Sequence, residues 1–118
     1  MPIRVLIVDD DPAFRRTIGA VLNARGYEIA GEASSLAEAR LAISQLNPDA
    51  VLLDVNLPDG NGISLAADPP PTGDAAPRIV LTSSDTRAAP ARLVQRTGVA
   101  GFIPKTELIA ADLKPYLG

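Results

Sequence analysis

The chain has 118 residues, nearly half of them apolar, which suits one compact domain over residues 1–118 and excludes a disordered tail. Its net charge of −3 argues against direct nucleic-acid binding, where basic residues cluster on one face. With no cysteine and no histidine, disulfides, thiolate metal sites, most zinc sites and the commonest general base are excluded.

No apolar stretch approaches the ~20 residues that span a bilayer, and nothing at the N-terminus reads as a signal peptide, so no membrane partner and a cytoplasmic location are expected. The first element is the apolar run Val5-Leu6-Ile7-Val8, which ends in Asp9-Asp10. Phe14, Ile18, Val21 and Leu22 then recur at helical spacing between Asp11-Pro12, an N-cap with proline at the first helical position, and Gly26, a stop. A second strand-like run, Glu28 to Ala33, fades into Ser34-Ser35. Leu36, Ala39, Arg40, Ile43 and Leu46 make a second helix that Asn47-Pro48 ends, because the residue before proline avoids the helical region.

Ala50-Val51-Leu52-Leu53 runs into Asp54. Gly62 to Ala67 has room for a short helix before Asp68-Pro69-Pro70-Pro71-Thr72-Gly73, where three prolines impose an extended loop. Arg78-Ile79-Val80-Leu81 runs into Thr82. The spacing predicts a fourth helix from Pro90 to Arg96 with Gly98 as its stop, Arg87, Arg92 and Arg96 being read as a solvated face. Gly101-Phe102-Ile103-Pro104 runs into Lys105, and a last helix is expected from Thr106, with Leu108, Ile109 and Leu113 inward and a frayed end near Pro115.

Five strand–helix units predict an α/β fold, a doubly wound flavodoxin-like (βα)5 sandwich on a parallel five-stranded sheet of order 2-1-3-4-5. Ligands of such sheets bind beyond the C-terminal strand ends, at the switch point between strands 1 and 3. That edge carries Asp9, Asp10, Asp54, Thr82 and Lys105. Two carboxylates ~4 Å apart repel by roughly 4 kcal/mol at an effective dielectric near 20, so either some hold protons or a cation is bound. An all-oxygen donor set favours Mg²⁺, which accepts phosphate oxygens. A carboxylate beside such a cation and a lysine can act as a nucleophile toward phosphorus.

The segments Val8-Asp9-Asp10-Asp11-Pro12, Leu52 to Gly62, Val80-Leu81-Thr82-Ser83 and Gly101 to Lys105 together resemble the receiver domain of two-component response regulators, in order along the whole chain. The resemblance implies a phosphoryl-accepting switch. It assigns Asp54 as phosphoacceptor, Asp10 as direct Mg²⁺ ligand, Asp9 as the ligand acting through water, and Asn56 as the position whose backbone carbonyl binds the metal. Thr82 and Phe102 become the switch pair, and Lys105 the cation that serves the acceptor and then the phosphoryl group. The implied partners are a sensor histidine kinase or phosphotransfer protein, with an output domain or a second copy binding the face of the fourth helix, fifth strand and fifth helix.

Read without the resemblance, Asn56, Asp59-Gly60 and Asn61-Gly62 are turn-formers, and Phe102 equally suits core filling. The family's usual proline after the lysine is Thr106 here, as in receivers fused to helix-turn-helix domains. Two alternatives bear on the same residues. A Mg²⁺-dependent aspartyl-phosphate phosphatase or phosphotransferase normally has a second Asp two residues after the nucleophile, where this chain has Asn56. A pseudo-receiver is expected to lack one of Asp10, Asp54, Thr82 or Lys105, all of which are present. The chain is therefore expected not to be an enzyme beyond self-catalysed phosphoryl transfer to Asp54 and its autodephosphorylation.

Overall fold

Strands buried on both faces need no polar alternation, and the apolar runs of this chain meet that condition. In the computed structural model, which describes residues 2–68, 70, 76–84 and 99–118, they form strands β1 (Arg4–Val8), β2 (Glu28–Ala33), β3 (Ala50–Asp54), β4 (Arg78–Ser83) and β5 (Gly101–Pro104). All pair in parallel, in the order β2-β1-β3-β4-β5. This is the doubly wound, flavodoxin-like arrangement expected from the alternating runs. The strand after Ala76-Pro77 continues through Thr82 to Ser83, two residues further than the apolar run.

Successive side chains point to opposite faces and so divide the core in two. Leu6, Val8, Val51, Leu53, Ile79 and Leu81 join one cluster, closed by helices α2 (Leu36–Leu46) and α3 (Gly62–Ala67). Val5, Ile7, Ala50, Leu52 and Val80 join the other, closed by helix α1 (Pro12–Ala24) and the C-terminal segment. Helix α1 begins as its residues dictate: the Asp11 carboxylate accepts from the Ala13 N–H at 3.0 Å, and Gly26 turns the chain away at φ +91°. Helix α2 is capped by Ser35, whose hydroxyl accepts from the Glu38 N–H at 3.1 Å. It ends at Asn47, which takes φ +46°; before Pro48 the right-handed helical region is disfavoured, and asparagine tolerates the left-handed one.

The C-terminal helix departs from expectation. It is two one-turn helices, Lys105–Leu108 and Lys114–Leu117, and not one helix from Thr106. Leu108 and Leu113 are buried as expected, but Ile109 is 48% exposed and does not face the core. Proline has no N–H and fits only the first turn of a helix, so Pro115 starts a new turn and frays nothing. The Asp112 carboxylate accepts from the Lys114 N–H at 3.2 Å at that restart. The Arg25 guanidinium, at the end of α1, donates to the carbonyls of Ile109 and Ala111 left free by the break. The helix expected from Pro90 to Arg96, with Arg87, Arg92 and Gly98, lies outside the described residues, as does most of the proline run. No cis peptide bond occurs among the described residues, the bond after Lys105 included.

Candidate functional site

Register brings the strand ends to one edge. Val8 pairs with Leu53, Asp54 with Thr82, and Ser83 with Pro104. Asp9, Asp10 and Lys105, which follow their strands directly, therefore leave the sheet beside Asp54 and Thr82.

Asp9 is fully buried. Its Oδ1 accepts from the Asp11 N–H at 2.9 Å, and its Oδ2 lies 2.6 Å from Lys105 Nζ, an ion pair angled away from hydrogen-bond geometry. Asp54, 4% exposed, accepts from the Asn56 N–H through Oδ1 and from Lys105 Nζ through Oδ2, both at 3.3 Å. Asp10 is exposed, yet one oxygen from each of Asp9, Asp10 and Asp54 lies within 4.8 Å of the other two. Two of the three carboxylates, Asp9 and Asp54, thus share one ammonium. Burial pushes the Asp54 carboxyl up, and Asp9 adds to this, against the lowering pull of Lys105. Burial opposes the charge on Lys105, but its contacts with Asp9 and Asp54 outweigh it and hold the ammonium above the ordinary lysine value.

The Thr82 hydroxyl is buried with no hydrogen-bond partner among the described residues. A buried donor left in that condition costs about 1–3 kcal/mol, so its presence at the carboxylate edge calls for a reason. The Asn56 side chain is exposed and donates to Ser83 Oγ at 3.4 Å. Phe102 pairs with Leu81 across β5 and β4, packs half-buried against the α2 and α3 cluster, and lines an open groove of about 480 Å³ with Tyr116 and Pro104.

Four residues with a hold on this site were not found from the sequence. Phe14, read only as a core position of α1, lies with its ring centroid 4.5 Å from Lys105 Nζ. Arg15, one residue on, donates from Nη1 to the Asp9 carbonyl at 2.5 Å and from Nε to Glu32 at 2.9 Å. Asp59, read as a turn-former, accepts from the N–H groups of Leu36 and Ala37 at 2.8 and 3.0 Å. Those bonds tie the loop after Asp54 to the start of α2 and hold the Asp59 carboxyl below its ordinary value. Gly62 lies against Asp54 so closely that a Cβ there would stand 2.3 Å from the Asp54 carbonyl oxygen.

The family model for the response regulator receiver domain matches residues 5–113. The chain is 35% identical over 123 residues to the transcriptional regulatory protein PdtaR of Mycobacterium tuberculosis, which covers 97% of this chain and 60% of that protein. It is 40% identical over 86 residues to the response regulator MprA of a Mycobacterium species, covering 73% of this chain and 37% of that one. The chain spans 17% to 60% of the length of the curated relatives it matches. Among solved structures, a CheY-like receiver domain from Methylobacillus flagellatus is similar at a TM-score of 0.84 and 26% identity, covering 98% of this chain and 95% of that one. A LuxR-family two-component response regulator from Aurantimonas is similar at 0.80 and 28% identity, covering 94% and 82%. The strand order, the carboxylate edge and this match over nearly the whole chain lead to one statement: the chain belongs to the response regulator receiver domain family.

Proposed function

We propose that the chain is a phosphoryl-accepting switch in which Asp54 takes the phosphoryl group from a phosphohistidine on a sensor histidine kinase or phosphotransfer protein. The observation that carries this reading is the pairing of a buried Asp54 carboxylate with Thr82 in register and Lys105 at 3.3 Å. An Asp54 oxygen attacks phosphorus, the phosphorus–nitrogen bond of the donor breaks, and the electron pair leaves with the imidazole. Lys105 Nζ, already against Asp54, neutralises the oxygens that gather charge as the group transfers. The Thr82 hydroxyl, buried and without a partner among the described residues, then donates to a phosphoryl oxygen, which removes the cost of leaving it unpaired.

The donor set fits a hard dication: three carboxylate oxygens within 4.8 Å, with one ammonium among them. Asp10, Asp54 and the Asn56 carbonyl, with Asp9 acting through water, would hold Mg²⁺, which when bound supplies positive charge to the phosphoryl oxygens. The same chain catalyses its own phosphorylation and hydrolysis and turns over no separate substrate. Movement of Thr82 toward the phosphoryl group vacates space beside β5, where Phe102 turns inward and alters the face around β5 and the two C-terminal helical turns. An output domain or a second copy of the chain reads that face. We place this activity in the cytoplasm; among the described residues no helix is long and apolar enough to cross a membrane.

The test is intact mass after incubation with acetyl phosphate and Mg²⁺. Wild type gains one phosphoryl group, and neither Asp54→Ala nor wild type in EDTA does. A gain that persists in Asp54→Ala overturns the assignment.

A further inference from the structure

Lys105 is held by three contacts, and two of them are with carboxylates of the proposed reaction. Its Nζ lies 2.6 Å from Asp9 Oδ2 and 3.3 Å from Asp54 Oδ2. The third is the face of Phe14, with the ring centroid 4.5 Å away. This contact differs in kind. A ring attracts an ammonium through its quadrupole and takes up none of the ammonium's hydrogen bonds, so it survives a change of oxygen partners. Phe14 is fixed from behind, packed half-buried against the core cluster of Ile18, Ile103 and Leu108. The turn that carries it is fixed as well: the Asp11 N–H and the Arg15 guanidinium both bond Asp9. Ring, Asp9 and ammonium therefore form one unit across α1, β1 and β5.

Nothing else among the described contacts holds the end of this flexible four-carbon side chain. Without the ring, the ammonium has two carboxylates, of which Asp9 is the nearer. Leaving Asp9 for a phosphoryl oxygen then means leaving its shortest contact with nothing in exchange at that side.

We propose that Phe14 is a positioning residue for phosphoryl transfer: its ring keeps the Lys105 ammonium in the crevice while the ammonium's oxygen partners change from carboxylate to phosphoryl. The proposal rests on Asp54 being the phosphoacceptor. Phe14→Leu retains apolar bulk and removes the ring face, whereas Phe14→Tyr retains the face.

The chain has two lysines, Lys105 and Lys114, so lysine-labelled protein gives two ε-methylene resonances and the exposed Lys114 serves as internal reference. In wild type the Lys105 resonance lies upfield of Lys114 through the ring current, in Phe14→Tyr it stays there, and in Phe14→Leu it moves to the Lys114 position. Phosphorylation by acetyl phosphate slows about five-fold in Phe14→Leu, which is ~1 kcal/mol at 1.36 kcal/mol per tenfold, and stays within about two-fold of wild type in Phe14→Tyr.

Phe14→Met is measured beside Phe14→Leu, so that a folding defect in one does not decide the result. Coincident lysine resonances in wild type overturn the proposal. So does an unchanged rate in both Leu and Met variants, or a Tyr variant as slow as Leu. Wild type that takes no phosphoryl group overturns the phosphoacceptor reading and the positioning role with it; the lysine spectra report the ring contact in either case.

Discussion

Gly62→Ala is the sharpest perturbation available, because it acts on Asp54 through its backbone and leaves every polar side chain of the site in place. A Cβ at this position would stand 2.3 Å from the Asp54 carbonyl oxygen and 3.2 Å from both the Asp54 carbonyl carbon and Leu53 Cγ. Real Cβ contacts essentially never fall below 3.0 Å, so the two backbones must part by at least 0.7 Å, the difference between 3.0 and 2.3 Å. The neighbouring bonds resist this. The Gly62 N–H donates to the Val55 carbonyl at 2.7 Å, and the Val55 N–H donates to the Thr82 carbonyl at 2.9 Å. Overpacking of this kind costs about 1–3 kcal/mol, and a weakened backbone hydrogen bond adds about 1 kcal/mol. With an unfolding entropy near 2.1 cal/mol/K per residue, 118 residues lose roughly 4 °C per kcal/mol, so Tm falls by about 8–16 °C.

The displacement also moves the end of β3, which carries Asp54. A shift approaching 1 Å at a reacting group costs up to about 100-fold in rate, and at least a tenfold loss is expected in phosphorylation by acetyl phosphate. Gly26→Ala is the control. It meets nothing within 4 Å and lies away from the site, but its φ of +91° strains any other residue. It lowers Tm and leaves the phosphorylation rate unchanged once both are measured well below their melting points. Calorimetry gives Tm, and intact mass against time gives the rate. If Gly62→Ala melts within about 2 °C of wild type and phosphorylates at the wild-type rate, the close approach does not constrain Asp54, and the reasoning fails.

Thr82→Val should stabilise the protein by about 1 kcal/mol, or ~4 °C in Tm, because it removes a buried hydroxyl that has no partner among the described residues. A lower Tm shows that the hydroxyl is satisfied in solution. In EDTA, Asp10→Ala should raise Tm by relieving repulsion at an exposed carboxylate, whereas Asp9→Ala should lower it, since Asp9 is buried, caps Asp11 and pairs with Lys105. Equal shifts of one sign refute that division. Asp59→Ala should destabilise at neutral pH. The backbone donors of Leu36 and Ala37 hold the Asp59 carboxyl below its ordinary 3.8, so its contribution is complete above 3.8 and fades as pH falls through the lower folded value. Urea unfolding of both proteins from pH 7 to pH 3 checks this, and a difference that grows on acidification contradicts it.

The parts of this molecule that were legible in advance are those governed by a period or by topology. Parallel strands place their C-terminal ends on one edge whatever the loops do, so Asp9, Asp54, Thr82 and Lys105 could be brought together across nearly the whole chain from the apolar runs alone. What was not legible depends on how far a side chain reaches. Phe14 sits four residues before Ile18 and reads as core, which it partly is; that its other face meets Lys105 is a contact between α1 and the end of β5 that no spacing encodes. Asp59 and Gly62 are turn-formers by chemistry, and their further roles arise only because α2 and Asp54 happen to pass within bonding distance. Helical spacing likewise placed Ile109 inward, but the helix ends at Leu108 and a new turn starts around Pro115, so Ile109 falls outside the period that would have buried it. Lys105 shows both kinds of cause at one residue. Its place at the end of β5 follows from strand order, while its closer approach to Asp9, at 2.6 Å against 3.3 Å to Asp54, depends on how α1 fixes the ring and Asp9 around it.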